Sequence, residues 1–212
     1  MTSPDPERAL ILTYAPAAGR AALAALLMLD DALAALLRTT SEPAIGQIRL
    51  AWWREALEKL DHAPSPAEPV LQAVAASGLQ GSALTPVVHG WEVLIEAERL
   101  DAAALARFAE GRGALFLLAG EAMGAVGDPL RDAGQGWALA DLARHLEPPE
   151  EAAEARRMAG RLLDTATRAR WSGKGRALGA MAHLARRDLD SDGKTAPISR
   201  VSRLLWHRLT GR

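Results

Sequence analysis

The 212-residue sequence contains no cysteine. This excludes disulfide bonds, thiolate nucleophiles and cysteine-ligated zinc or iron–sulfur sites. Aromatic residues make up only 4% of the chain, and Val and Ile together number 12, against 45 Ala and 33 Leu. An all-β fold is excluded because sheets need β-branched and aromatic residues to fill their faces. Alanine and leucine favour helices, so the composition predicts an all-α protein.

A long uninterrupted apolar run is also missing. The most apolar stretch, 21–37, has Asp30 and Asp31 near its middle, and two carboxylates at that depth would be costly in lipid. Residues 1–8 contain two prolines and two acids in place of the basic and apolar regions of a secretory signal. We therefore expect a soluble, cytoplasmic protein.

The formal net charge is only −1, but it is unevenly distributed. Residues 153–212 hold 14 Lys and Arg against 5 Asp and Glu, whereas 1–152 hold 11 against 21. The basic C-terminal segment can meet phosphate, an acidic protein partner or an anionic membrane, which would place the protein at the inner face of that membrane. Alternatively, it faces the acidic remainder of the same chain. The Lys and Arg residues of this segment are not interleaved with aromatic residues, so we expect no nucleic-acid partner.

Helical spacing of apolar residues extends along almost the whole chain, interrupted by short Pro, Gly and Ser segments. The interruptions are too short to be linkers, so we expect one domain covering residues 1–212. The predicted helices are 6–14, 18–37, 43–61, 67–76, 85–98, 102–124, 131–146, 149–171, 174–188 and 198–210.

The most informative segment is 49–57, which contains the adjacent Trp52 and Trp53. Neighbouring residues lie about 100° apart on a helix, so at least one of the two indoles is expected in the core. Arg49 precedes Trp53 by one turn and can stack on it. By itself, the segment indicates a core helix with a charged edge.

This segment and its surroundings resemble the squalene/phytoene synthase family. The resemblance implies the all-α isoprenoid-synthase fold, a helical bundle around a central cavity. The matching pieces follow the family's order: Tyr14-Ala15-Pro16, Leu29-Asp30-Asp31, Ser41-Glu42-Pro43 continuing through Ile45-Gly46-Gln47-Ile48-Arg49-Leu50-Ala51-Trp52-Trp53-Arg54-Glu55, Phe108-Ala109-Glu110-Gly111-Arg112-Gly113, and Gly136-Trp137-Ala138-Leu139-Ala140-Asp141-Leu142-Ala143-Arg144.

Catalytic members of that family join two prenyl diphosphates head to head. The resemblance implies two aspartate-rich motifs on facing helices, whose carboxylates hold Mg²⁺ ions that neutralise the departing diphosphate. An apolar cavity then shields the carbocation from water.

Both motifs are eroded in this sequence. The first should read Asp-Asp-x-x-Asp, but Asp30-Asp31 is followed by Ala32, Leu33 and Ala34. The second should contain Asn-x-x-Arg-Asp, but His145 follows Arg144 in place of the aspartate. In this erosion the chain resembles the branch of the family that contains a mitochondrial complex I assembly factor.

Two functions follow from these departures. The first is a non-catalytic protein that takes part in assembly with a protein partner or binds a lipid-like or isoprenoid ligand at a membrane surface. The second is an active Mg²⁺-dependent prenyltransferase that condenses two prenyl diphosphates. A third alternative is a scaffold whose cavity is filled by side chains. Under the second, the metal ligands are Asp30, Asp31, Asp141 and Glu147, and the diphosphate-binding residues are Arg49, Arg54 and Arg144.

Overall fold

The computed structural model describes residues 6–191, 204, 206–208 and 210–211. Within these residues the secondary structure is helical and no strand occurs, which confirms the all-α prediction. The elements are α1 (Pro6–Tyr14), α2 (Ala17–Arg38), α3 (Pro43–Lys59), α4 (Pro69–Ser77), a 3₁₀ turn (Ser82–Leu84), α5 (Thr85–Glu96), α6 (Ala102–Met123), α7 (Leu130–Leu142), α8 (Pro149–Arg168) and α9 (Arg176–Ser191). The predicted helix 198–210 lies mostly outside the described residues. That residues 1–212 form one domain stays a prediction.

Helix α2 is buried along a stripe of leucines that are spaced three or four residues apart, of which Leu37 is only partly buried. Leu23, Leu26 and Leu33 are fully buried, and Leu27 and Leu36 are nearly so. Leucines spaced three or four residues apart form one continuous face. That face fixes the rotation of α2 about its axis, and therefore the direction in which its two aspartates point.

Helix α6 packs against α2, α5 and α7 and so lies at the centre of the bundle. It begins where the Asp101 carboxylate accepts a hydrogen bond of 2.8 Å from the Ala104 N–H, as an N-cap residue does. It ends at Gly124, which adopts the left-handed conformation with φ of 67°. The position of α6 carries the middle of its sequence into the protein interior.

Helix α7 ends at Leu142, four residues before the predicted end at residue 146. Pro148 and Pro149 follow closely, and a proline disfavours helical backbone in the residue before it. The chain leaves the helix through a turn in which the His145 N–H donates to the Leu142 carbonyl over 2.8 Å. Arg144 and His145 stay beside Asp141 in this turn, whereas Glu147 follows it and does not line the cavity.

The two adjacent tryptophans of α3 divide between core and surface. Trp53 is buried, whereas Trp52 is 48% exposed and meets Trp53 edge to face. The prediction that at least one of them packs in the core is confirmed. Among the described helices, none combines the length and the apolar character that crossing a membrane requires.

Candidate functional site

A cavity of about 400 Å³ opens between α1, α2, α7 and α9, with one side chain of α6 at its base. A space of this size between the helices weighs against the alternative of a scaffold whose cavity is filled by side chains. The lining is nearly balanced in charge and is apolar in its remaining parts. It consists of Glu7, Arg8, Ile11, Leu27, Asp30, Asp31, Ala34, Arg38, Arg112, Trp137, Ala140, Asp141, Arg144, His145, Met181, Leu184, Ala185 and Asp188.

The two adjacent aspartates of α2 have different environments. Asp30 is 2% exposed and points into the protein, whereas the Asp31 side chain is 57% exposed at the cavity rim. The leucine stripe determines this difference, because neighbouring residues on a helix point about 100° apart. Asp31 pairs with Arg8 of α1, so the inner and the outer carboxylate have different cationic partners.

Arg112 of α6 joins the two aspartate motifs at the base of the cavity. Its Nε donates to Asp30 Oδ1 over 2.8 Å and its Nη2 donates to Asp30 Oδ2 over 2.7 Å. Its Nη1 donates to Asp141 Oδ2 over 2.7 Å. The planar guanidinium presents several N–H donors in a fixed arrangement, so it can bind one carboxylate with two bonds and a second with another. We call Asp30, Arg112 and Asp141 the arginine clasp.

Aromatic rings surround the clasp. The Arg112 guanidinium carbon lies 4.6 Å from the Trp91 ring centroid and 4.4 Å from that of Trp137. Trp91 also donates its indole N–H to Asp30 Oδ1 over 3.2 Å. Cation–π contacts strengthen when the cation is desolvated, and Arg112 is only 3% exposed. The rings hold the guanidinium in place and exclude water from it.

The charges in the clasp are mutually stabilised. Burial by itself would raise the pKa of Asp141, but the adjacent Arg112 and Arg144 and their hydrogen bonds lower that pKa to about 2. Burial likewise opposes the charged form of Arg112, but the carboxylates of Asp30 and Asp141 hold the Arg112 pKa above its ordinary value. Both groups are therefore ionised at neutral pH.

The lowered pKa of Asp141 predicts a pH-dependent stability difference between the wild type and Asp141→Asn. Because the folded pKa of about 2 lies below the ordinary value of 3.8, ionised Asp141 stabilises the fold above about pH 4, and this contribution disappears as the pH falls towards 2. Urea unfolding should show the variant less stable at pH 7, with a gap that narrows below about pH 4. A gap that stays constant down to pH 3 would contradict this expectation.

At the cavity rim, arginines outside the clasp form ion pairs with cavity carboxylates or lie free to meet a ligand. Arg144 pairs with Asp141 and also lies 3.7 Å from Asp188 of α9. Arg38, at the last turn of α2, lines the cavity and makes no ion pair or hydrogen bond with its side chain within the described part of the chain. It is the lining arginine best placed to meet an incoming anion.

The predicted Mg²⁺ ligands do not form a metal-binding cluster. Mg²⁺ requires carboxylate oxygens in near-octahedral geometry, but the carboxylates of Asp30, Asp31 and Asp141 each pair with at least one arginine. Within the described ranges, no three His, Asp or Glu side chains lie close enough to hold an ion. His145, which stands in place of the expected aspartate, points its Nδ1 at the Asp141 carbonyl 2.9 Å away. The residues present therefore do not fit Mg²⁺.

Three of the predicted site residues lie away from the cavity. Arg49 donates to Thr40 Oγ1 over 2.7 Å instead of stacking on Trp53. Arg54 pairs with Glu92 of α5 over 2.7 Å. Glu147 is exposed beyond the end of α7 and does not line the cavity. The structure thus brings together Asp30, Asp31, Asp141 and Arg144 and separates Arg49, Arg54 and Glu147 from them.

The central residue of the site, Arg112, was not among the predicted site residues. The sequence shows it between Gly111 and Gly113 in a helix of mostly small and apolar residues. An arginine in such surroundings is a signal, because a charged side chain is almost never fully buried unless it is paired. Its partners could not be identified from the sequence, since Asp30 lies 82 positions away.

One of three comparisons with known proteins, the one with family models, supports the sequence resemblance. Searches of curated proteins and of solved structures each gave no match. The family model described as squalene/phytoene synthase matches residues 1–156. The matched region extends from α1 into α8 and contains all three members of the arginine clasp. The chain therefore belongs to the squalene/phytoene synthase family.

Proposed function

We propose that this chain is a non-catalytic member of its family that works by binding. The observation that supports this proposal most strongly is the arginine clasp, in which Arg112 occupies the carboxylates of both aspartate motifs. Removal of diphosphate from an allylic carbon requires strong positive charge at the departing group. Here the positive charge inside the site is already neutralised by Asp30 and Asp141.

The proposed ligand is lipid-like or isoprenoid and carries an anionic head group. The cavity volume of about 400 Å³ lies in the range of small-molecule sites. Apolar side chains such as Leu27, Met181 and Leu184 line part of it, and Arg38 offers a cation at the rim. An apolar tail and an anionic head would each find a complementary group in this cavity.

A protein partner is the other form of binding that we propose, as in the complex I assembly branch of the family. Three apolar side chains on one face of α3 support it: Ile45 is 46% exposed, Ile48 70% and Trp52 48%. Their spacing of three and four residues places them side by side on the helix. They lie within the segment that first indicated the family.

The basic C-terminal segment supports a peripheral contact with the inner face of a membrane and a cytoplasmic location. Arg168, Arg170 and Lys174 are exposed and form no ion pair with a described residue. The ion pairs described for arginines of this segment, Arg157 and Arg186, are with acids of the same segment.

The experiment that tests this proposed function combines turnover with binding. We expect no pyrophosphate release from farnesyl diphosphate in the presence of Mg²⁺, and binding of the inert thiodiphosphate analogue by calorimetry. Arg38→Ala should weaken that binding by about tenfold, since one charge-assisted hydrogen bond contributes about 1.5 kcal/mol or more. Arg49→Ala is the matched control and should bind as the wild type does.

Pyrophosphate release by the wild type would overturn the non-catalytic assignment and favour the Mg²⁺-dependent prenyltransferase. Absence of both release and binding would overturn the lipid-like ligand and leave assembly with a protein partner. Equal weakening by Arg38→Ala and Arg49→Ala would show that the ligand head group does not lie in the cavity.

A further inference from the structure

We propose that Arg112 takes the place of a divalent cation between the two aspartate motifs, and that it closes Asp30 and Asp141 to metal ions. This proposal extends the proposed function. It rests on it because it assumes that the native chain works without a metal ion. It adds that the carboxylates can still bind a metal ion once the arginine is removed.

The geometry places the guanidinium where a cation shared by both motifs would lie. Its three donor nitrogens bond the carboxylates of Asp30 on α2 and Asp141 on α7 at 2.7 to 2.8 Å. Both Asp30 oxygens are used, and Asp30 Oδ1 also accepts from Trp91. A metal ion that binds both oxygens of Asp30 would therefore have to displace Arg112.

The surroundings of the guanidinium favour arginine over a hydrated ion as long as arginine is present. Trp91 and Trp137 lie within 4.6 Å of the guanidinium carbon. Mg²⁺ retains several of its water ligands when bound to proteins, and two indole faces leave those waters without partners. Arginine is more weakly hydrated and stacks on aromatic faces, so this environment selects the organic cation.

Removal of Arg112 would leave the buried Asp30 without its cationic partner and Asp141 with Arg144 alone. A buried charge that loses its partner destabilises a protein strongly. Hard divalent cations prefer carboxylate oxygen ligands, so an ion that bridges Asp30 and Asp141 would restore the lost charge balance. A neutral residue at position 112 should therefore allow a metal ion to bind at the place that Arg112 occupies in the native protein.

The test is a Mn²⁺ titration of the purified full chain, in which bound Mn²⁺ is measured by electron paramagnetic resonance. The wild type should show only weak, non-specific Mn²⁺ binding, and Arg112→Gln should bind one Mn²⁺ at least tenfold more tightly. The thermal unfolding midpoint of Arg112→Gln should rise on addition of Mn²⁺, because a ligand that binds only the folded state stabilises it. Chelator should reverse that rise.

Two variants serve as controls for this titration. Arg144→Gln also removes an arginine from Asp141 but leaves Arg112 in place, so it should behave as the wild type does. The double variant Arg112→Gln/Asp30→Asn should lose the Mn²⁺ site, because one of its two carboxylates is gone. If Arg112→Gln does not fold by itself, refolding should succeed in Mn²⁺ and fail without it.

Tight Mn²⁺ binding by the wild type that Asp30→Asn abolishes would overturn the proposal. A folded Arg112→Gln with no gain in Mn²⁺ binding, or an unfolded one that Mn²⁺ does not rescue, would also overturn it. Neither of the last two results affects the proposed function, which fails only if the wild type releases pyrophosphate or binds no partner or ligand.

Discussion

Replacing Asp30 by alanine should lower the free energy of unfolding by about 3–5 kcal/mol, measured by urea denaturation at pH 7. Replacing its neighbour Asp31 should lower it by less than about 1 kcal/mol. The two aspartates are adjacent in sequence, belong to the same helix and pair with an arginine each. The expected difference comes from the burial of Asp30 and its partners.

The large cost at Asp30 arises from what remains after the change. Arg112 is 3% exposed and would keep only Asp141 as a carboxylate partner. Two of its N–H donors and the indole N–H of Trp91 would lose their acceptor. An unpaired buried donor costs its full desolvation free energy. After Asp31→Ala, by contrast, the partly exposed Arg8 exchanges its contact with Asp31 for water.

Asp30→Asn is the second variant in this comparison. It keeps the shape and one acceptor oxygen but removes the charge, so its cost should lie between those of Asp30→Ala and Asp31→Ala. Equal costs for Asp30→Ala and Asp31→Ala would show that Asp30 is not held in a buried pair. A cost of Asp30→Asn close to zero would show that the clasp does not depend on charge.

The comparison of Asp30 with Asp31 also shows how far the sequence could predict the site. The sequence identifies the pair as candidates and places them in a helix between leucines. Asp30 lies four residues after Leu26 and three before Leu33, so it shares their buried face, but the sequence does not show what neutralises a carboxylate buried there. The partner of Asp30 is supplied by Arg112, 82 positions away, and tertiary pairing over such a distance leaves no local pattern.

The helices themselves were predicted well because their signals are local. The predicted ranges 6–14, 18–37 and 102–124 agree within one residue at each end with α1, α2 and α6. Prolines and glycines at the ends stop a helix by their own backbone preferences. The prediction for α7 was wrong at its C-terminal end, where Arg144 and Glu147 lie beyond the helix. The helix changes there to a turn in which Arg144 and His145 donate to carbonyls three residues back, and no proline or glycine in the sequence marks that change.

The second large effect is expected from Gly111→Ala, which should destabilise the fold by about 3 kcal/mol. Gly111 precedes Arg112 on α6 and lies where α5 crosses that helix. A Cβ at this position would be 2.5 Å from the Cα of Gly90 and 2.6 Å from the Pro86 carbonyl oxygen. Both contacts are with backbone atoms, so α5 and α6 would have to separate along their length.

Separation of α5 from α6 would also reach the arginine clasp, because Trp91 follows Gly90 on α5 and contacts both Asp30 and Arg112. Gly111→Ala should therefore weaken the binding of the thiodiphosphate analogue as well as lower the urea midpoint. Gly160→Ala is the matched control: it lies within α8, a Cβ there meets nothing within 4 Å, and alanine favours a helix over glycine by up to about 1 kcal/mol. The same substitution should thus destabilise at residue 111 and stabilise at residue 160. If both variants were stabilised, α5 and α6 would not cross as closely as described, and the placement of Trp91 against the clasp would be wrong.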